Sequence, residues 1–501
     1  MSNKIRFSSA ISIILLAGCA AFAQTQAQLR TSDTELTLEA LPERPRVVQF
    51  DFPGQPVWQN RGSETLIPFV EIAGEKAALT WTFDSAASRI NDQQVVFVYN
   101  SAFPHLRLSW EWRTREEYGP VEHQIRIENL DSREIWIPMQ DSLAFDWQVD
   151  SKQSLQQLFV EKGADKPSNI GTHRESIGVG FHWTGTSSTY GDLFESQPRE
   201  IIPWTLVERN DAAHSGWYAG IEFSGRTRIA LTREKDSLKV ALGLNPDPGP
   251  FRTRLKPGES FESPIVFFGG FRDGPDGAGN ILRPWVRAVL GNPETWKNSS
   301  YPLIVNNSWG CGMEVNEEIA MHMIRDSAEL GVNMFHVDAG WFRDVGDWSP
   351  NPQKFPHGLA VIADYAHKHG LRFGMWVDWT QAGLSTEPGA LNARDPKVRD
   401  WMLTDIPADW KPEPFKGQTI DLGVPEAKTW ARARSEPHHH RLPSGYAGAR
   451  WIPGGTRMRS HRSPPCRPGS AQQMCVQELR RILRGQHECN RRELPRSARL
   501  L

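Results

Sequence analysis

Three stretches of the sequence end in residues suited to gripping a polyhydroxylated ligand. Asn306-Asn307-Ser308-Trp309 follows Leu303-Ile304-Val305, Asp338-Ala339-Gly340-Trp341 follows Met334-Phe335-His336-Val337, and Trp376-Val377-Asp378-Trp379 closes Phe373-Gly374-Met375. An indole offers a flat apolar face to the C–H side of a sugar ring, and a carboxylate accepts hydrogen bonds from its hydroxyls. Taken singly, each Trp reads as core and each Asp as a helix cap. Repetition after three apolar runs favours a carbohydrate pocket instead. The candidate substrate-binding residues are Trp309, Asp338, Trp341, Trp376 and Asp378.

Those runs need elements to hold them. Residues 317–330 carry apolar Ile319, Met323, Ile324 and Leu330 at helical spacing, and 359–369 reads as a second helix. Strand, helix, strand, helix, strand opens a parallel α/β domain, whose site lies at the C-terminal strand ends. A closed barrel of eight such units needs about 250 residues, and here the pattern occupies only 300–430. Upstream, 30–295 consists of short β-rich runs broken by Gly, Pro, Asn and Asp. Val95-Val96-Phe97-Val98-Tyr99, Leu106-Arg107-Leu108-Ser109-Trp110-Glu111-Trp112 and Ile265-Val266-Phe267-Phe268 are examples, and their spacing suits an antiparallel sandwich. The expected fold class is multidomain β plus α/β: an N-terminal β-sandwich followed by the first part of a (β/α)8 TIM barrel, incomplete in this chain.

A chain of 501 residues exceeds what one core usually supports, and 39% apolar with 23% charged residues is ordinary globular composition. The net charge of -2 conceals two unlike parts. Residues 431–501 hold 15 Arg and no Lys against 4 Glu and no Asp, a balance of +11 that leaves 42 basic and 55 acidic residues before them. The acidic body argues against nucleic acid as a partner of the main domains. Cys466, Cys475 and Cys489 lie in the basic tail, so Cys19 and Cys311 alone offer no disulfide framework. His438-His439-His440 also falls in the tail without matched ligands, and neither a metal nor an organic cofactor is expected.

The N-terminus reads as an export signal over 1–23, with Lys4 and Arg6 before an apolar run starting at Ile11. Ala21-Phe22-Ala23 before Gln24 fits a general signal peptidase, whereas Leu16-Ala17-Gly18-Cys19 fits a bacterial lipobox that would place a lipid on Cys19. The mature protein is expected outside the cytoplasm, periplasmic or extracellular, or held at the membrane through Cys19.

Residues 303–430 resemble the catalytic barrel of the melibiase-type α-galactosidases, glycoside hydrolase family 36. The resemblance is carried by Asn307-Ser308-Trp309, Leu330-Gly331-Val332, Phe335-His336-Val337-Asp338-Ala339-Gly340-Trp341, Gly346-Asp347-Trp348 and Lys354-Phe355-Pro356-His357-Gly358-Leu359. His369-Gly370-Leu371-Arg372-Phe373-Gly374-Met375-Trp376, Ile420-Asp421-Leu422-Gly423 and Pro425-Glu426 complete it. The β-rich front is similar, more weakly, to the family's N-terminal sandwich. The resemblance implies that Trp309 and Trp376 wall a galactose site and that Asp338 holds sugar hydroxyls. Many members have Asp-Asp-Gly-Trp where this chain has Asp338-Ala339-Gly340-Trp341. One sugar-binding carboxylate is thus absent, and loss of an acceptor for a specific hydroxyl relaxes or changes discrimination.

The family's nucleophilic Asp follows strand four and its acid/base Asp follows strand six, so the resemblance implies catalytic positions beyond residue 430 and none in this chain. The tail has no Phe, Lys or Asp and no strand–helix period. Moved by one nucleotide, Tyr446 through Gly455 can be read as Met-Leu-Glu-His-Asp-Gly-Tyr-Leu-Val, and Met458 through Cys466 as Cys-Asp-Arg-Thr-Asp-His-Pro-His. The first string looks like the family's fourth strand with its nucleophile. A frameshift between Lys428 and Pro437 is therefore expected, with a basic nucleic-acid arm as the alternative, since Arg-rich runs are usually solvated tails. Two functions follow: a retaining α-galactosidase-like hydrolase of terminal α-galactosides, inactive as written, or a non-catalytic carbohydrate-binding or surface protein. Oligomeric state is not legible.

Overall fold

The computed structural model describes residues 25–435, apart from 162–170, 188–199, 224, 247–250, 293–296, 298–300, 379–380, 403–417 and 423. The leader with Cys19, Trp379 and the tail beyond 435 lie outside the described residues. The boundary drawn at 430 falls within the helix Pro425–Ser435.

The front of the chain is antiparallel β-structure from Thr25–Arg30 to Ile265–Phe271. Among the described residues it forms one ten-stranded and three four-stranded sheets. Alternation builds them. In Leu106–Thr114, Leu106, Leu108, Trp110 and Trp112 are buried while Arg107, Ser109 and Glu111 are partly exposed. Leu36, Val70, Trp110, Trp147 and Leu231, drawn from all four sheets, meet in one aromatic-rich core. Each such side chain contributes about 1.5–3 kcal/mol on leaving water.

A helix, Gly274–Val289, stands where only β-structure was expected. Its Trp285 packs with Leu158, Leu206, Tyr218 and Phe267. Their chain neighbours Phe159, Val207, Trp217 and Phe268 belong to the main core, so the helix covers the opposite face of the large sheet. Gly119, at φ +82°, lets that helix approach, since a Cβ there would lie 2.8 Å from the Trp285 ring.

Downstream, Val305–Asn307, Met334–Val337 and Arg372–Met375 form a three-stranded parallel sheet with the second strand in the middle. The helices Glu317–Glu329 and Gly358–Lys368 join them. The first helix starts where Asn316 accepts a hydrogen bond from Ile319 N at 2.9 Å, with Glu317 and Glu318 in its first turn. It stops at Gly331, φ +72°. Ala320, Ile324, Phe335, Val337, Ile362, Ala366 and Phe373 bury this layer's own core. Cys311, expected to stand outside any disulfide, is disulfide-bonded.

Candidate functional site

The register sets Asn307, His336 and Gly374 level across the three parallel strands. Directly after Asn307 the first strand turns. Asn307 caps the 3-10 segment Ser308–Glu314, its side-chain oxygen accepting from Trp309 N at 2.7 Å. The same amide donates from Nδ2 to Asp338 Oδ2 at 2.8 Å. Asp338 N donates to Ser308 Oγ at 2.8 Å, and Asp338 Oδ1 accepts from Ala339 N at 2.7 Å. Trp309 and Asp338, predicted from separate strand ends, are thus joined through one side chain. Asp338 is 8% exposed, so its oxygens sit at the floor of the strand ends.

The turn holding Asp338 needs its glycine. Gly340 has φ +107°, and a Cβ there would lie 2.6 Å from Met313 O. Lys354 Nζ donates to that same carbonyl. The Asp-Ala-Gly-Trp turn and the 308–314 segment therefore lie against each other, which keeps the first two strand ends together.

Trp376 is half-buried. Its N–H extends the ladder to Val337 O at 2.9 Å, and its ring stacks on Phe342 at 5.9 Å and meets Trp348 edge-on at 5.8 Å. Trp341 departs from the expected role. It is 1% exposed and donates Nε1–H to Trp376 O at 2.8 Å. An indole closed in this way presents no face to a ligand; it buttresses Trp376 from beneath. Asp378 is buried and accepts from Gln381 Nε2 at 2.9 Å, which anchors the loop after the third strand.

Sequence reasoning passed over His336. Its Nδ1 lies 3.1 Å from Asn307 Nδ2. Burial pushes the imidazole below its ordinary 6.5, against opposite pulls from the Asp338 carboxylate and a Met375 backbone hydrogen bond. An imidazole inside an apolar strand run ordinarily reads as core, and only the neighbouring Asn307 reveals its bond. Among the described residues no group of three His, Cys, Asp or Glu side chains is placed to hold a metal.

Residues 260–407 match the melibiase family model. The α-galactosidase AgaA of Geobacillus stearothermophilus is 31% identical over 208 residues, which are 40% of this chain and 27% of that protein. A probable α-galactosidase C of Aspergillus terreus is 27% identical over 332 residues, 58% of this chain and 43% of its own length. The chain thus spans less than half the length of these curated relatives. The crystal structure of AgaA, a family-36 α-galactosidase, superposes with a TM-score of 0.66 at 18% identity, covering 84% of this chain and 64% of AgaA. The galactosidase domain of the α-galactosidase–sucrose kinase AgaSK gives the same TM-score at 16% identity, covering 83% of this chain and 64% of that one. The fold is shared with these enzymes, and the 260–407 segment is similar to the melibiase family.

Proposed function

We propose that this chain belongs to an exported, retaining α-galactosidase acting on terminal α-galactosides of oligosaccharides or polysaccharides. The carrying observation is the Asn307 amide, which links Trp309 and Asp338 at adjacent parallel strand ends inside the melibiase segment. AgaA variants crystallised with stachyose and with raffinose support a galactoside ligand. In this reading Trp309 and Trp376 stack on the sugar, Asp338 accepts from its hydroxyls, and Asp378 braces the rim. The three parallel strands are the opening strands of a (β/α)8 barrel over 300–430, following the β-domain over 30–295.

Retaining chemistry needs a carboxylate to attack the anomeric carbon and a second to protonate the leaving oxygen, about 5–5.5 Å apart. Family resemblance puts both after residue 430, where the tail of this chain reads in another frame. The described residues therefore serve binding, and the nucleophile comes with the restored frame. The decisive assay compares the 501-residue protein with a version whose frame is restored after Lys428, on an aryl α-galactoside. Turnover is expected only in the second. Turnover in neither sinks the galactosidase reading. The tail favours a second reading for the chain as written: it binds sugar without cleaving it, which galactoside titration of the 501-residue protein measures.

Location follows from the leader. Mass spectrometry of the mature N-terminus is expected to find either a lipidated Cys19 or Gln24. An intact Met1 defeats export by this leader.

A further inference from the structure

We propose that His336 is a positioning residue of the sugar site: as its neutral Nε2–H tautomer it locks the Asn307 amide, and through that amide both Asp338 and Trp309. The inference rests on the sugar-binding reading of those two residues. Asn307 Oδ1 is identified as the oxygen because it accepts from Trp309 N at 2.7 Å. Nδ2 then faces Asp338 Oδ2 at 2.8 Å and His336 Nδ1 at 3.1 Å. An amide nitrogen donates two hydrogens and accepts none, so both facing atoms must be acceptors. His336 Nδ1 therefore carries no proton. The ring proton sits on Nε2, and the Met375 backbone hydrogen bond is the one it can make.

The surroundings are built for that ring. The first strand offers it uncharged Asn307, the third offers Gly374 and the Met375 backbone, and its own strand end offers Asp338. Gly374 makes room: a Cβ there would lie 2.1 Å from Met334 Cε and 3.0 Å from His336 Cδ2. Burial holds the imidazole neutral and outweighs the pull of Asp338. One ring thus connects three strand ends, running from the Met375 carbonyl beside Trp376 through His336 and Asn307 to Asp338.

Protonation at Nδ1 would bring N–H against N–H at Asn307. The amide must then turn away, Asp338 Oδ2 loses its donor, and the Trp309 turn loses its cap. Galactoside binding should therefore weaken on the acid side, below the ordinary imidazole value, and should do so together with loss of the tautomer.

Two measurements decide this. In the 501-residue protein labelled with [15N]imidazole-histidine, the signal missing from His336→Asn is expected to show the Nε2–H pattern and to take up its second proton only below pH 6.5. An Nδ1–H pattern, or titration like free imidazole, overturns the proposal. In the frame-restored enzyme, His336→Phe fills the space without an acceptor. It should raise KM for an aryl α-galactoside roughly tenfold, the equivalent of one buried hydrogen bond, with kcat much less affected. His336→Asn, whose amide oxygen can stand where Nδ1 stood, should recover most of that loss. A KM unchanged in the Phe variant, or an Asn variant no better than Phe, refutes positioning through Asn307. If no version hydrolyses α-galactosides, the activity reading fails, while the tautomer measurement still decides for or against the lock.

Discussion

Two buried acid–imidazole neighbours, one in the β-domain and one at the parallel strand ends, are treated in opposite ways. In the β-domain, His123 Nε2 lies 3.7 Å from Glu64 Oε2 with no amide between them. Glu64 accepts from Trp110 Nε1 at 3.0 Å, while among the described residues Glu64 Oε1 and His123 Nε2 have no hydrogen-bond partner. Burial pushes Glu64 up to about 8 and His123 down to about 3. At neutral pH both are uncharged, and the core absorbs them. At the strand ends Asn307 stands between acid and imidazole and serves both. At Glu64 burial outweighs the Trp110 indole and the backbone groups of Thr65 and Ala144, and the carboxyl takes up a proton, whereas at the strand ends one amide ties acid and imidazole into a fixed geometry.

The largest expected effect tests the functional side of that contrast. In the frame-restored enzyme, Asp338→Ala should lower kcat/KM for an α-galactoside by roughly 10²–10³-fold, as loss of a buried charged contact to the transition state does. Near-parental turnover would remove Asp338 from the site. Glu64→Gln, at the other pair, should leave kcat/KM unchanged.

Next comes the β-domain core. Trp217→Ala opens a cavity beside Trp58 and Phe268 and should destabilise the domain by about 3–5 kcal/mol, read from urea unfolding. A loss below about 1 kcal/mol would mean that the aromatic core repacks freely.

A carboxyl whose folded value is raised from 4.5 to about 8 contributes stability that is full below 4.5 and lost as pH rises through about 8. Glu64→Gln should therefore gain Tm relative to the parent between pH 5 and pH 8.5. His123 acts on the other flank. Its lowered value contributes stability present above 6.5 and lost as pH falls towards about 3. A parent–variant Tm difference that does not vary with pH would show that Glu64 keeps its ordinary ionisation. The smallest effect is expected from Gly374→Ala, which crowds Met334 and His336 and should raise KM a few-fold in the restored enzyme.

The strand ends were legible because parallel topology puts chemistry just past an apolar run, and Met334–Val337 and both joining helices stand nearly where the spacing places them. The helix 274–289 was not legible. It opens with Gly-Pro-Asp-Gly and contains Pro284, residues that signal turns, and it is held by Trp285 on the large sheet instead of by propensity. Trp341 was misplaced for a related reason. A Trp beside Asp338 suits a sugar wall or a buttress equally, and only its bond to Trp376 O tells which. The β-domain was legible as alternation but not as four sheets, because pairing between distant strands leaves no local mark.

The strand Ile265–Phe271 is the last β-strand of the front domain in sequence, yet it lies between Val121–Asn129 and Gly216–Glu222 in the ten-stranded sheet. During synthesis the two halves of that sheet must wait for it. Until residue 271 leaves the ribosome, each half exposes an unpaired edge where the centre will be, a state open to pairing with other chains. The closing contact spans more than a hundred residues of chain, from Val121 to Phe268, so assembly is slow in the manner of high contact order. A chain ended just short of residue 265 would lack the keystone and not merely an edge.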